Sequence, residues 1–374
     1  MNMRVLFFIS SLSSGGAERV VANLANYWAE KGWEVTVVTL SDGADDFYEL
    51  LPSVHRIKLG LQQNSGNVLK GLINNLRRVS ALRRVLRQVQ PDVALGMMDS
   101  SNIQLALAAT GLHGLVTVGS EHIHPPQMPL GVVWETLRSY FYGRLDAVVA
   151  LTDESATWLR QNTRARKVPV IPNAASYPLP AQAPYMMPPV KTGNAKLLLA
   201  VGRLSRQKGF DLLIAAFQGL AAAFPDWRLA ILGEGPLRNE LAAQIKNARL
   251  DERILLPGRV GNIGDWYQAA DLYVMSSRFE GFGNTLAEAL AYGLPAVSFD
   301  CDTGPRDIIR HEVDGLLVPP GDVAALSAAL SRLMGDEALR QRFAARAIEA
   351  RERFSMVSIA GMWEALFEEL QHGK

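Results

Sequence analysis

The sequence has almost no cysteine, since Cys301 is the single one among 374 residues. One cysteine excludes an internal disulfide, and we expect a reducing compartment. No run of about 18 apolar residues is present, so no transmembrane span is predicted. The first apolar run, only about six residues long, favours a buried strand over a signal peptide. A net charge of +1 excludes a generally nucleic-acid-binding chain.

What the sequence does contain is an alternation of short apolar runs with helical patterns. The runs fall into a first set and a second set: Val5–Ile9, Val35–Leu40, Val93–Met97, Val116–Ser120, Ala147–Leu151 and Val168–Ile171, then Leu197–Val201, Arg228–Leu232, Ile254–Leu256, Leu272–Met275, Ala296–Phe299 and Gly315–Val318. Such repetition predicts an α/β fold with parallel sheets. A proline-rich linker, residues 177–190, separates the sets. We therefore predict two doubly wound, Rossmann-like domains facing across a cleft, residues 1–176 and 191–356.

The most informative motif runs from Glu280 to Glu288 and reads EGFGNTLAE. It follows an apolar strand and opens a helix, the usual setting for an anionic ligand in α/β proteins. The backbone N–H groups around Gly283, Asn284 and Thr285 suit a diphosphate at the helix start. The two carboxylates then suit hydroxyl groups at both ends of the ligand, which is the pattern of a nucleotide sugar. The spacing alone is also compatible with two solvated surface glutamates.

Two further loops offer groups for phosphate. The first, from Gly202 to Gly209, places Arg203 and Lys208 after a predicted strand, and such a pair suits a diphosphate. A solvated basic loop is an equally good interpretation of that segment by itself. The second loop carries Gly15 and Gly16 after the first strand but lacks the Gly-x-Gly-x-x-Gly pattern. Taken alone, it is better explained as a tight turn.

Histidines are few, six in all, yet His122 and His124 both follow the run Val116–Ser120. A histidine at the carboxyl end of a strand is placed to donate to a developing charge on a sugar or a leaving phosphate. The alternatives are a structural loop histidine and a metal ligand, and the absence of a second His or Cys cluster argues against metal. Leu237 and the backbone of Arg259 and Val260 follow other strands and are candidate walls for a planar base. Taken alone, both segments are ordinary βα turns.

Acidic residues are absent between Glu49 and Asp92. Within that stretch, Val68–Val89 shows helical apolar spacing and six cations: Lys70, Arg77, Arg78, Arg83, Arg84 and Arg87. A helix with one sign of charge predicts a surface for anionic lipid headgroups or for a diphosphate-bearing acceptor. An exposed face without a partner is the alternative.

Taken together, these motifs resemble the retaining glycosyltransferases of family 4, which have the two-domain GT-B fold. The motifs in chain order are SSGGAER (13–19), SEH (120–122), GRLSRQKG (202–209), GEGP (233–236), LPGRV (256–260) and SRFEGFGNTLAEA (277–289). The resemblance covers nearly the whole chain. It is closest to members that extend polyprenyl-diphosphate-linked oligosaccharides, which carry a basic, acid-poor helix where Val68–Val89 lies. The last helix of the family crosses back to the first domain, which implies that placement for residues 357–374.

The resemblance implies a UDP-sugar donor on the second domain, no metal and no other cofactor. It places His122, Arg203, Lys208 and Glu280 at the reaction. Donor binding is assigned to Gly15, Gly16, Gly202, Arg203, Lys208, Leu237, Arg259, Val260, Glu280, Gly281, Phe282, Gly283, Asn284, Thr285 and Glu288. Asp300-Cys301-Asp302 spells a metal-binding Asp-x-Asp motif, which we interpret as a coincidence because it follows a strand well past the donor loop.

The activity so implied is transfer of GalNAc, GlcNAc or another hexose onto a polyprenyl-diphosphate-linked glycan during assembly of cell-surface polysaccharide, O-antigen or glycoprotein glycan. The acceptor implies a protein on the anionic cytoplasmic face of the inner membrane. Three alternatives stay open: the same chemistry on a soluble acceptor, a nucleotide-sugar 2-epimerase of the same fold, and a non-enzymatic nucleotide-sugar-binding module.

Overall fold

A computed structural model describes residues 3–13, 15–62 and 68–373. The chain divides into two compact units. The first unit comprises residues 1–173 together with 356–374, and the second comprises residues 174–355.

The first unit is built on a six-stranded parallel sheet in the order β3-β2-β1-β4-β5-β6. Its strands and helices are β1 (Arg4–Ile9), α1 (Gly16–Glu30), β2 (Glu34–Thr39), β3 (His55–Lys58), α2 (Val68–Val89), β4 (Val93–Met97), α3 (Asp99–Ala108), β5 (Val116–Glu121), α4 (Val132–Tyr142), β6 (Ala147–Ala150) and α5 (Asp153–Asn162). Every residue of β4, β5 and β6 is buried. Such continuous apolar strands are expected where helices cover both faces of a parallel sheet.

The second unit has a six-stranded parallel sheet in the order β12-β11-β10-β7-β8-β9. Its elements are β7 (Lys196–Val201), α6 (Phe210–Leu220), β8 (Trp227–Leu232), α7 (Arg238–Asn247), β9 (Ile254–Gly258), α8 (Ile263–Ala269), β10 (Leu272–Met275), α9 (Asn284–Ala291), β11 (Ala296–Phe299), α10 (Pro305–Ile308), β12 (Gly315–Val318), α11 (Val323–Gly335), α12 (Glu337–Ala347) and α13 (Ala350–Arg353). The strand order reverses at β7, whose neighbours are β8 and β10. In open α/β sheets, ligands bind beside such a reversal, outside the carboxyl ends of the strands.

These two sheets confirm the predicted α/β fold class with parallel, doubly wound sheets, but two details of the strand prediction were wrong. The run Val168–Ile171 forms only a single bridge, between Val170 and Ala150. Pro169 lies in its middle and has no N–H for a ladder. Strand β3 was missed because its sequence, HRIK, lies at the sheet edge and is only partly buried.

The predicted linker, residues 177–190, is packed along the second unit rather than free. The amide Nδ2 of Asn262 and the indole Nε1 of Trp266 donate to the carbonyl of Met186, at 3.1 and 2.8 Å. The N–H of Gly261 donates to the carbonyl of Pro184 at 2.7 Å. These bonds satisfy backbone groups that proline prevents from joining a helix or sheet.

The last helix, α14 (Met356–His372), belongs to the first unit. Its Glu364 accepts a hydrogen bond from the Trp28 indole at 3.0 Å and pairs with Lys31, and the Phe367 ring lies 5.5 Å from the Trp28 ring. An aromatic and ionic contact therefore fixes this helix against α1. None of the described helices combines the length and the apolar character that a membrane span needs.

A buried polar cluster lies at the carboxyl end of β5. The Tyr142 hydroxyl donates to the Glu121 carboxyl, and Asn102 Nδ2 donates to the Tyr142 oxygen at 3.1 Å and to the Ser120 carbonyl at 3.2 Å. The Arg138 guanidinium lies 4.0 Å from the same carboxyl. Burial, with a smaller contribution from nearby Asp99, raises the pKa of Glu121 to about 8. Glu121 is therefore largely protonated at neutral pH.

Glu121→Gln is expected to make stability less dependent on pH. Between the ordinary pKa of 4.5 and about 8, the unfolded chain releases the Glu121 proton while the folded protein keeps it. Rising pH therefore favours unfolding of the wild type through this residue, and that contribution is absent from the variant. Unfolding midpoints of both proteins measured across this range should diverge as pH rises. Glu30→Gln, at an exposed position of the same unit, is the control, and parallel curves for wild type and Glu121→Gln would contradict the assignment.

Candidate functional site

The loops after β7, β8, β9 and β10 lie side by side, because these four strands are neighbours in the second sheet. Backbone hydrogen bonds join all four loops, since the N–H of Arg278, after β10, donates to the carbonyl of Gln207, after β7, at 2.7 Å. Gly202 N–H donates to Leu232 at 2.9 Å, and Gly233 N–H donates to Gly258 at 2.8 Å. Leu204 N–H donates to the carbonyl of Glu234, and Leu237 N–H to that of Leu204, both at 3.0 Å. The predicted donor-binding segments of the second unit thus share one edge of the sheet.

The centre of this edge is an ion pair between the β7 loop and the β10 loop. Lys208 Nζ lies 2.6 Å from Glu280 Oε1, and the Ser277 hydroxyl donates to the same oxygen at 2.6 Å. The stem of Lys208 runs beside Gly202, where an added Cβ would lie 3.2 Å from its carbons. Glu280 is only 5% exposed, so Lys208 compensates a carboxylate that has little access to water.

Two glycines allow the backbone to take this shape. Gly209 has φ of +62°, and a Cβ there would lie 2.0 Å from the carbonyl oxygen of Ser276. Gly283 has φ of +102° and precedes the first residue of α9. Both positions therefore exclude a side chain on steric or conformational grounds.

Arg203 differs from Lys208 in being exposed, and none of the described carboxylates forms an ion pair with it. It lies on the same loop, one residue beyond Gly202. The loop thus presents one paired cation, Lys208, and two exposed cations, Arg203 and Arg206, of which Arg203 is next to Gly202.

At the start of α9, backbone N–H groups are the candidate ligand-binding groups, because the neighbouring side chains are buried or hydrogen-bonded within the protein. The Phe282 ring is buried 5.5 Å from the Phe354 ring, and the Thr285 hydroxyl accepts a hydrogen bond from Tyr273 at 2.8 Å. Gly281 is buried, and Asn284 is half-buried at the first helical position. The first N–H groups of a helix lack intrahelical acceptors and favour an anion.

The remaining predicted residues of the second unit lie at the same edge. Glu288 is 2% exposed and accepts a hydrogen bond from the Tyr267 hydroxyl at 3.2 Å. Leu237 is half-buried and packs on the core of the unit. Val260 is half-buried and Arg259 is exposed directly after β9.

In the first unit, Gly15 and Gly16 stand at the start of α1, while Ser14 of the same motif lies outside the described residues. The Glu18 carboxylate folds back over Gly15, since a Cβ there would lie 2.0 Å from Glu18 Oε2. Burial raises the pKa of Glu18. This carboxylate was missed at the sequence level, although a Glu three residues after an N-cap is a known signal.

His122 and His124 have different surroundings. His122 Nε2 is hydrogen-bonded to the Ser120 hydroxyl at 3.1 Å, and burial lowers the pKa of His122 to about 4. It is therefore neutral near neutral pH, so it can offer a ligand a hydrogen bond but not a charge. His124 Nδ1 is hydrogen-bonded to Ser155 at 3.0 Å, close to the start of α5, which fits a structural loop histidine.

Helix α2 has the predicted bounds, but its six cations divide into two groups. Arg78 donates to the carbonyl of Leu61 at 3.0 Å, and Arg83 donates to those of Ala108 and Thr110 at 2.8 and 2.6 Å. These two guanidinium groups hold backbone carbonyls. The other four side chains are exposed: Lys70, Arg77, Arg84 and Arg87.

The Asp-x-Asp spelling does not mark a gathered metal site. Asp300 pairs with Arg306 at 2.9 Å. Within residues 3–13, 15–62 and 68–373, no three His, Cys, Asp or Glu side chains come together as metal ligands.

The chain is similar to three known proteins over most of its length. The chain is 35% identical over 292 residues to the exopolysaccharide phosphotransferase SCO2592 of Streptomyces coelicolor, covering 77% of this chain but only 30% of that protein. It is 27% identical to a Campylobacter jejuni α-1,4-N-acetyl-D-galactosaminyltransferase named for a GalNAc-containing diNAcBac-PP-undecaprenol substrate, over 99% of both chains. The crystal structure of HepE from Anabaena, in complex with UDP and glucose, superposes with a TM-score of 0.79 at 22% identity, over 98% of this chain and 99% of that one.

Two family models match consecutive parts of the chain. "Glycosyltransferase Family 4" matches residues 14–177, and "Glycosyl transferases group 1" matches residues 186–350. Each match lies largely within one of the two units, and the solved structures confirm the GT-B fold class. The chain therefore belongs to the family 4 glycosyltransferases.

Proposed function

We propose that this glycosyltransferase transfers a hexose or N-acetylhexosamine from a UDP-sugar to a polyprenyl-diphosphate-linked glycan, with retention of configuration and without a metal. The observation that carries the donor half is the Lys208–Glu280 pair at 2.6 Å beside exposed Arg203. HepE, whose structure contains UDP, supports a uridine nucleotide. The Campylobacter transferase, named for an undecaprenol-linked substrate, supports a lipid-linked glycan.

In this proposal the donor replaces part of the ion pair. Arg203 and Lys208 bind the diphosphate, Glu280 turns to hydroxyls of the transferred sugar, and Glu288 accepts from the ribose hydroxyls. The backbone at Gly283 and the start of α9 adds N–H donors. Lys208 then has a different partner in the bound state, while its stem keeps the same support beside Gly202.

The chemistry follows from charge. The bond from the anomeric carbon to the diphosphate breaks, and its electron pair leaves with UDP. The growing negative charge is stabilised by Arg203 and Lys208 in preformed positions. The acceptor hydroxyl attacks from the same face, and its proton goes to the leaving phosphate. In this proposal neutral His122 takes part as a hydrogen-bond donor and not as a charged group. The alternative role for Glu280 is that of a nucleophile.

The acceptor half rests on α2. Its first half exposes Leu72, Ile73 and Leu76, which are 57%, 42% and 62% accessible, next to Arg77. An exposed apolar stripe beside cations matches a helix that lies in the interface of an anionic membrane. We therefore propose binding at the cytoplasmic surface of the inner membrane.

Arg203→Ala and Lys208→Ala should both reduce turnover, by about 100-fold, since each removes a cation that stabilises the leaving diphosphate. They should differ in stability. Arg203 is exposed, and its loss should change the free energy of unfolding by less than about 0.5 kcal/mol. Lys208→Ala leaves Glu280 buried and unpaired, at a cost of about 3 kcal/mol.

The double variant Lys208→Ala/Glu280→Gln separates the two effects, because it should regain stability but not turnover. Unfolding midpoints measure the stability of each variant, and the rate of UDP release measures its turnover. Wild-type turnover in either single variant would rule out the diphosphate assignment.

A donor screen tests the reaction itself. UDP release and product formation are measured with UDP-GalNAc, UDP-GlcNAc, UDP-galactose and UDP-glucose. Each donor is offered with an undecaprenyl-diphosphate-linked glycan, with a soluble glycoside, or alone. We expect product only with the lipid-linked acceptor. Efficient transfer to the soluble glycoside would favour the first alternative, and a 2-epimer formed from donor alone would favour the epimerase.

Replacing Arg77, Arg84 and Arg87 by Gln should weaken binding to anionic vesicles at least tenfold, because each cation near such a surface contributes about 1 kcal/mol. Flotation with phosphatidylglycerol-containing liposomes measures the fraction of protein bound to the vesicles. The matched control carries the same charge change at exposed positions of the second unit, Arg228, Lys246 and Arg342. Equal losses in the two triple variants would mean that net charge, and not α2, determines the binding.

Turnover should be unchanged by EDTA, because the proposed mechanism places Arg203 and Lys208 where other enzymes place a divalent cation. Initial rates with and without chelator, measured on the same protein preparation, provide the test. A loss of turnover that added Mg²⁺ or Mn²⁺ restores would contradict a metal-independent reaction.

A further inference from the structure

The buried side chain of Tyr267 contacts the Glu288 carboxylate through its hydroxyl. Tyr267, on α8, has no solvent exposure. Its hydroxyl lies 3.2 Å from Glu288 Oε2 and 3.1 Å from the carbonyl oxygen of Thr285. Both acceptors belong to α9, the helix whose start faces the proposed diphosphate. The single hydroxyl proton is therefore shared between the Thr285 carbonyl and the carboxylate assigned to the ribose.

The ring of Tyr267 also belongs to a cluster of aromatic rings that meet at tilted and edge-on angles. The Tyr292 ring lies 5.3 Å from it, and the Tyr177 ring lies 4.9 Å from Tyr292. The Tyr292 hydroxyl accepts the N–H of Leu179 at 2.9 Å, and the Arg351 guanidinium lies 3.5 Å over the Tyr177 ring. The segment from Tyr177 to Leu179, which contains the first proline of the predicted linker, Pro178, thus completes this aromatic cluster.

We infer that Tyr267 is a positioning residue for nucleotide recognition, which orients the Glu288 carboxylate toward the ribose hydroxyls. The inference rests on the proposed function, in which Glu288 binds the ribose. A carboxylate on a glutamate side chain has several rotamers, and a fixed donor on one oxygen selects among them. Phenylalanine would fill the same space, so the hydroxyl contributes the hydrogen bond rather than packing. The ring contacts with Tyr292, and of Tyr292 with Tyr177, pack the Tyr267 ring in this position.

The test compares binding of UDP with that of 2′,3′-dideoxy-UDP by calorimetry on the full chain. Tyr267→Phe should weaken UDP about tenfold, the size of a lost hydrogen bond to a charged group, and should leave dideoxy-UDP unchanged. The preference for UDP is then lost in the same proportion. Tyr273→Phe is the matched control: it removes another fully buried phenol oxygen bonded to α9, but that oxygen contacts Thr285 and not Glu288. It should keep the preference.

A second variant keeps the test open if Tyr267→Phe does not fold. Tyr292→Phe removes only the acceptor for Leu179 and should reduce the preference for UDP by a smaller factor, about threefold. Equal weakening of both nucleotides, or of neither, in Tyr267→Phe would overturn the inference.

The variant Glu288→Gln distinguishes a failure of the Tyr267 inference from a failure of the proposed function, in which Glu288 binds the ribose. If Glu288→Gln and wild type bind UDP equally, or if wild type does not distinguish UDP from dideoxy-UDP, Glu288 does not bind the ribose and the proposed donor site is wrong. If Glu288→Gln weakens UDP while Tyr267→Phe does not, only the positioning role of Tyr267 is excluded.

Discussion

The ion pair between Lys208 and Glu280 is the interaction on which the second unit's edge depends. It joins loops from two neighbouring strands, and Ser277 adds a third group on the same oxygen. A carboxylate with 5% exposure is costly to bury alone. Its pairing therefore gives both side chains a defined position before any ligand arrives. Charges positioned in advance stabilise a transition state without reorganising when the reaction occurs.

The pair can exist because the topology brings its two loops together. Lys208 and Glu280 are 72 positions apart in sequence, yet β7 and β10 are adjacent and parallel. Parallel strands end at the same edge, so each βα unit delivers its loop to the same side. The strand order β10-β7-β8-β9 then places the two cations, the two carboxylates and the base-wall candidates along a continuous line.

The sequence predicted what is local and repetitive. Apolar runs located eleven of the twelve described strands, and the one-signed pattern located α2 at its observed bounds, Val68–Val89. Partners distant in the chain were not predictable in the same way. Arg83 fits the pattern of an anion-binding surface, but it donates to the carbonyls of Ala108 and Thr110 at the end of α3. No periodicity encodes such a contact.

Tertiary contacts and single residues also explain the other features that the sequence did not predict. Tyr267 looks like an ordinary apolar residue of a short helix, and only its hydroxyl contact with Glu288 gives it a role. Pro169 removed a strand whose composition was otherwise suitable. The burial that lowers the pKa of His122 comes from tertiary packing and has no sequence signal.

The backbone bonds between the loops after β7, β8 and β9 have a consequence for protein engineering. Gly202 is bonded to Leu232, Leu204 to Glu234, and Gly233 to Gly258, so each loop supplies the main-chain partners of the next. A single loop grafted from a relative with another nucleotide preference would leave donors or acceptors of its neighbours unmatched. A change of nucleotide base would therefore require transplanting the three loops as one block. The β10 loop, which carries Glu280, is bonded to the β7 loop through Arg278 N–H and the Gln207 carbonyl and through the Lys208–Glu280 pair, so it would have to be transplanted with them.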